Sequence, residues 1–269
     1  MPSYVITGAS RGLGFELLRQ LSSNVNNTVV GLVRNKPAME KKVSEELGNR
    51  PNVHVLQGDL NSYEELQKAA ADTTTITNGS LDYLIANGAY VPQWDAYDPI
   101  GVLAQNPKKL EQELTKLYTT NIVGNINLYN LFLPLVLKGQ AKKVVAITSS
   151  LANLPTVNGL GLEASPLYAI VKAGLNMVSA KFSAQYKLDG VLFVSICPGM
   201  VEAGHFDNLS PQQQATIDTM VTKFKAAIPD FSGASTPEVA MRNLINIWEN
   251  ASIENGDGGA FLSSRGTRY

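Results

Sequence analysis

The chain has 269 residues, 44% of them hydrophobic and 17% charged, with a net charge of −1. That is enough apolar material for one large core, and no basic excess points to nucleic acid or an anionic membrane as a partner. Its one cysteine, Cys197, excludes an intrachain disulfide and any cysteine-cluster metal site, so no metal is expected. No apolar run approaches the roughly 18 residues that span a bilayer, and a strand-like segment begins almost at Met1 with no leader ahead of it; a soluble cytoplasmic protein is the expectation.

Val5-Ile6-Thr7 has strand character and passes through Gly8-Ala9-Ser10-Arg11-Gly12-Leu13-Gly14 into an amphipathic segment carrying Phe15, Leu17, Leu18 and Leu21. This reads as strand, tight turn, helix. A helix N-terminus offers unpaired N–H groups and partial positive charge to phosphate oxygens, and glycine lets the backbone approach them closely. The predicted ligand is the pyrophosphate of a dinucleotide, held by Gly8, Ser10, Arg11, Gly12, Leu13 and Gly14. The Gly-x-x-x-Gly-x-Gly spacing directly after a first strand resembles the cofactor turn of the short-chain dehydrogenase/reductase family.

The β-branched run Thr28 to Val33 predicts a second strand ending at Arg34-Asn35. An acid about 20 residues past the glycine turn would accept from a ribose 2′-hydroxyl, whereas a basic residue accommodates a 2′-phosphate. Arg34 stands there with no acid beside it, and Arg11 can add a second positive charge, which favours NADP(H) over NAD; the alternative is that Arg34 is a solvated loop residue. Val53 to Gln57 is a third strand, with His54 read as core or edge filling. The resemblance implies that Asp59 meets the adenine amino group and that Leu60 lines the ring. Ser62 with Glu65 reads as a capping box. Leu81 to Ala89 holds a fourth strand and a turn similar to the family's Asn-Asn-Ala-Gly segment, placing Asn87 and Gly88 beside the cofactor.

From Pro107 to about Lys138 runs one long helical pattern, with a kink expected at Pro134. Within it, Thr120-Asn121-Ile122-Val123-Gly124 resembles the family's Asn-x-x-Gly, which implies that Asn121 disturbs the helix and anchors a water in a proton relay; a merely satisfied buried asparagine is the other reading. Lys143 to Thr148 is the fifth strand. By resemblance the catalytic serine is Ser149, with Ser150 as second choice, and residues 151–164 read as a long loop bordering the substrate.

Ser165-Pro166 reads as an N-cap and first-turn proline for the helix that carries Tyr168 and Lys172, one turn apart on one face. A tyrosine with a pKa near 10 is a poor acid/base at neutral pH unless a neighbouring ammonium stabilises its phenolate, and a three-unit change needs about 4 kcal/mol. Glycine turn, Asn, Ser, Tyr and Lys follow one another in the family order. The resemblance then implies hydride delivery to a carbonyl carbon, Tyr168 giving the proton, Ser149 orienting the oxygen, and Lys172 lowering the tyrosine pKa while holding the nicotinamide ribose. Val191 to Ile196 is a sixth strand, after which Pro198, Gly199 and Val201 are expected against the nicotinamide. Ala203 stands where relatives commonly have a carboxamide-binding threonine. Cys197 reads as a packing residue.

Residues 200–235 read as the substrate-binding segment: Pro211 opens a helix with Ile217, Met220, Val221, Phe224 and Ile228 as an apolar stripe. With Phe206, Met200, Tyr90 and Trp94 it suggests a pocket for a hydrophobic or aromatic carbonyl compound; His205 either lines that pocket or sits on a surface loop. Thr236 caps a last long helix, and Gly258 to Leu262 is a seventh strand. The expected fold is an α/β Rossmann-type doubly wound parallel sheet of about seven strands, in one domain over 1–269. Arg34-Asn35 and the compact tail resemble the branch that includes norsolorinic acid ketoreductase-like and C-factor-like proteins. The family implies a homodimer or homotetramer paired through its long helices. The reading is an NADPH-dependent carbonyl reductase; the alternatives are an NAD-dependent alcohol dehydrogenase and a non-catalytic NADP-sensing protein.

Overall fold

The computed structural model describes residues 1–204, 209–228 and 231–269. Its seven strands are β1 Ser3–Thr7, β2 Thr28–Val33, β3 Val53–Gln57, β4 Tyr83–Ala86, β5 Lys143–Ile147, β6 Leu192–Ile196 and β7 Phe261–Leu262. They form one parallel sheet in the order β3-β2-β1-β4-β5-β6-β7. Every residue of β1 and of β6 is buried, because helices cover both faces and successive side chains feed opposite cores. That two-sided burial is why the strands read as unbroken apolar runs rather than alternating ones.

On one face, α1 (Gly12–Leu21) and α10 (Pro237–Asn250) close over Ile6, Val194 and Ile196 with Leu17, Leu18, Met241, Leu244 and Trp248. On the other, α3 (Tyr63–Ile76) and α6 (Gly124–Val136) bring Leu66, Leu128, Tyr129 and Phe132 onto Val5, Leu84 and Phe193. The ring of Tyr129 meets Phe182 edge-on at 5.4 Å. The strand order reverses direction between β1 and β4, so their carboxyl ends open a crevice there, where α/β sheets bind ligands.

The helical pattern from Pro107 to Lys138 is broken at Thr119–Val123, which takes a π-helical turn between α5 (Pro107–Tyr118) and α6. Pro134 lies inside α6, near its end. The segment 151–164 is not a loop: a 3₁₀ turn Ser150–Ala152 leads into a helix Leu154–Leu160, capped by Asn153 and ended by Gly161 at φ +57°. Ser62 caps α3 by accepting from Glu65 N–H, but the Glu65 carboxylate accepts from Asp59 N–H at 2.9 Å instead of closing the box. Glu65 therefore braces the turn that presents Asp59. The seventh strand is two residues long, shorter than the sequence suggests.

Candidate active site

The glycine turn is shaped by one close approach and one open face. At Gly14 a Cβ would collide with the Gly8 carbonyl and come within 2.6 Å of Asn87 Nδ2, so only glycine lets α1 seat against β1 and β4. Gly12, at φ +54°, is different: a Cβ there would meet only Ala203 Cβ, at 3.9 Å, and would project into open space. Asn87 ties the two strand ends together, donating from Nδ2 to Thr7 O at 3.0 Å, while Thr7 Oγ1 accepts from the N–H of both Asn87 and Gly88. The N-terminus of α1 has no side-chain cap. Its amide groups and the space over Gly12 fit a phosphate group, which supplies the acceptors that the chain itself withholds.

This turn borders a cavity of about 1440 Å³ that runs across the carboxyl ends of β1, β4, β5 and β6. Of the residues singled out from the sequence, Gly8, Ser10, Arg11, Gly12, Leu13, Arg34, Asp59, Leu60, Asn87, Gly88, Ser149, Tyr168, Lys172, Pro198, Gly199 and Val201 line it; Gly14 and Asn121 do not. Asn121 is fully buried in the π-helical turn and spans the Tyr90 backbone, accepting from its N–H at 2.8 Å and donating to its carbonyl at 2.9 Å. Both polar ends of its side chain are thus used to hold the loop after β4.

Lys172 and Tyr168 sit on α8 (Pro166–Tyr186). Lys172 is 3% exposed; its ammonium donates to Ile147 O at 2.7 Å and lies 5.5 Å from the centroid of the Tyr168 ring. Ser149, two residues past Ile147, accepts from Leu151 N–H. Burial dominates the proton affinities here. It pushes Lys172 down to about 8. It pushes Tyr168 up, and the nearby Cys197 and Asp95 push the same way. The expectation that Lys172 lowers the tyrosine pKa is therefore reversed in the protein by itself, because both side chains have lost water and the penalty on charge exceeds their mutual help. Tyr168 is held as the protonated phenol.

The depressed lysine has a consequence for stability. Its folded value lies below its ordinary 10.5, so the unfolded chain binds more protons between pH 8 and 10.5. The penalty is full below pH 8 and fades as pH rises. Relative to Lys172→Met, the wild type is expected to gain about 2 kcal/mol between pH 7 and 9.5 in denaturant titrations. Equal pH slopes for the two proteins would contradict this.

Several residues at the site carry no readable sequence signal. Lys42, on α2 (Lys36–Leu47), donates to Ser10 O at 3.1 Å with its ammonium 3.9 Å above the Phe15 ring. Tyr90 donates to Glu113 Oε2 at 2.6 Å, and that bond, with burial, pushes its pKa up to about 12. Tyr269 reaches the cavity from beyond β7, stacked on Phe261 at 4.4 Å, and Cys197 is buried, its sulfur accepting from Ser150 and Gly199 N–H. In the substrate-binding segment, Met220, Phe224 and Ile228 line the cavity with Met200 and Phe231, whereas Ile217 and Val221 do not. Trp94 is not at the cavity either; it packs with Leu103 and Leu117, with the Lys109 ammonium 4.9 Å from its ring. His205 and Phe206 lie outside the described residues.

Among the described residues there is no group of three His, Cys, Asp or Glu side chains placed to hold a metal ion, and no helix long and apolar enough to cross a membrane. A family model described as short chain dehydrogenase matches residues 3–214. The short chain dehydrogenase virK of Hypocrea virens is 51% identical over 268 residues, covering 100% of this chain and 99% of that protein. The short-chain dehydrogenase/reductase iacC of Pestalotiopsis fici is 52% identical over 269 residues, with the same coverage of each. Among solved structures, an NADPH-bound carbonyl reductase from chicken fatty liver shares the fold with a TM-score of 0.79 at 21% identity, covering 100% of this chain and 98% of that one.

Proposed function

Because the chain belongs to the short-chain dehydrogenase family, oxidoreductases that use a nicotinamide cofactor on small molecules, we propose that it is an NADPH-dependent carbonyl reductase acting on a hydrophobic or aromatic ketone or aldehyde. The observation that carries this reading is the placement of Tyr168, Ser149 and buried Lys172 together on one wall of the cavity. The cofactor, when bound, supplies the hydride. The α1 N-terminus with Gly8, Ser10, Gly12 and Leu13 would hold its phosphates, Asp59 and Leu60 its adenine, and Asn87, Gly88, Lys172, Pro198, Gly199 and Val201 its nicotinamide half.

Tyr168 keeps its proton in the resting protein and gives it to the substrate oxygen. Ser149 donates a hydrogen bond to that oxygen and fixes its direction. Lys172 holds the strand end at Ile147 and presents its charge next to the phenol. Asn121 keeps the Tyr90 loop in place and would link the site to solvent through its π-helical turn. Met200, Met220, Phe224 and Phe231, the last two with rings 5.6 Å apart, supply the apolar surface that favours a hydrophobic substrate.

The preference for NADPH rests on Arg34 and Arg11, both exposed on the cavity and neither with a carboxylate partner among the described residues. We read the chain as one domain, with residues 200–235 against the substrate, and as a cytoplasmic homodimer or homotetramer. Exposed Tyr118, Val123, Ile126, Ile170 and Met177 on the long helices support the pairing. The test is oxidation of NADPH and NADH by purified protein against aromatic ketones, diketones, quinones and aldehydes. NADPH is expected to be the better donor, and Arg34→Asp to lower kcat/KM for NADPH by about 10–100-fold through loss of a charge-assisted phosphate contact. Equal use of NADH by the wild type overturns the cofactor assignment; tight NADPH binding with no turnover across the panel favours the sensing alternative.

A further inference from the structure

The N-terminus of α8 is not capped by its own neighbour. Ser165, at φ +56°, turns its hydroxyl away and donates to Ala96 O at 3.0 Å. The cap comes from Asp95, 73 residues upstream of Tyr168: Oδ2 accepts from Tyr168 N–H at 2.9 Å, and the Asp95 carbonyl accepts from Ser165 N–H at 3.0 Å. Asp95 is 1% exposed, its Oδ1 has no hydrogen-bond partner, and among the described residues no cation pairs with it. A carboxylate at a helix N-terminus is favoured by the dipole, but burying it with one oxygen unbonded is costly. An uncharged cap such as serine or asparagine would close the turn at lower cost.

We propose that Asp95 is a positioning residue for the reaction: through the backbone N–H of Tyr168 it fixes the first turn of α8, and it keeps a negative charge near the phenol so that Tyr168 holds its proton until substrate takes it. This rests on the role of Tyr168 given above. The charge acts among identifiable neighbours. Glu113 of α5 bears on Asp95 from one side, with its own carboxylate bonded to Tyr90. Lys172 of α8 and the Cys197 thiol after β6 face the Tyr168 ring from the other side. Tyr269, from beyond β7, lies against Cys197. Asp95 and Cys197 both disfavour the phenolate, which is the direction a proton donor needs.

The experiment compares wild type, Asp95→Asn, Asp95→Ser and Tyr168→Phe. Carbon-13 tyrosine NMR follows the Tyr168 phenol, identified by the resonance missing from Tyr168→Phe, with the oxidised nicotinamide dinucleotide that binds more tightly present. In parallel, the pH profile of kcat is measured for reduction. Both Asp95 variants keep a capping oxygen and lose the charge, so the Tyr168 titration and the alkaline limb of kcat are expected to move to lower pH by about half a unit or more. A folded variant with wild-type near-UV circular dichroism and an unmoved titration overturns the proposal, since a cap that is only structural lowers stability without shifting the phenol. If neither variant folds, Asp95 is a folding residue and the proposal also falls. Should Tyr168→Phe keep full turnover, the catalytic reading fails while the NMR titration still decides the role of Asp95.

Discussion

Tyr168→Phe is expected to lower kcat by on the order of 10³, within the range that a positioned proton donor contributes, while leaving NADPH binding close to wild type. The phenol is the acid best placed for the transfer: it lines the cavity one helical turn from Lys172, and burial with the charges near it keeps the proton on the oxygen. Phenylalanine retains the ring that packs beside the Lys172 ammonium, so the helix and the ribose-side wall should persist. Single-turnover NADPH oxidation separates the chemical step from binding, and quenching of the two tryptophans reports binding. A variant that turns over like wild type would remove Tyr168 from the mechanism and move the proton to another group on the same wall, with Ser150 and Tyr269 first to be tested.

Gly14→Ala is expected to destabilise the fold by about 3 kcal/mol, the upper end of what overpacking costs, and to abolish dinucleotide binding. The added methyl has nowhere to go, because the atoms it meets are pinned. Gly8 N–H donates to Leu32 O at 3.0 Å, and Asn87 is bonded to Thr7. Relief would require α1 to lift from the sheet, breaking its contact with α10. Gly12→Ala is the comparison. Its methyl meets little but carries a positive φ, so it should cost about 1 kcal/mol while placing a carbon where phosphate oxygens would lie. Thermal melts and dinucleotide titrations of the two variants should therefore diverge: Gly14→Ala loses stability and binding, Gly12→Ala mainly binding. Equal melting of Gly14→Ala and wild type would mean that the turn is less tightly seated than its distances imply.

What was readable without coordinates was local. The glycine turn, the Tyr168/Lys172 spacing and the β-branched runs each depend on contacts within a few residues, and their periodicities survive in one dimension. The helix over Leu154–Leu160 was also within reach, since Asn153, Pro155 and Gly161 are ordinary start and stop residues, but the run between them is too short and too rich in glycine and asparagine to show a periodic face. Ser165-Pro166 misled for the opposite reason. Its composition is that of a cap, yet the left-handed backbone at Ser165 sends the hydroxyl to Ala96 and leaves the helix end to a distant carboxylate. Trp94 and Tyr90 are four residues apart and equally aromatic; only packing sends one into a core with Leu117 and the other to the cavity wall.

The sequence by itself determined the parallel α/β architecture, the family and the order of the residues that meet at the carboxyl ends of the strands, because two-sided burial and tight turns leave their mark on neighbouring positions. Tertiary structure alone decided that Asp95 caps the Tyr168 helix, that Lys42 braces the glycine turn, and that burial turns the proton affinities of Tyr168 and Lys172 the opposite way from the spacing argument. The physical reason is common to all three. Desolvation and long-range hydrogen bonds are set by what the rest of the chain packs around a side chain, and no local spacing encodes that.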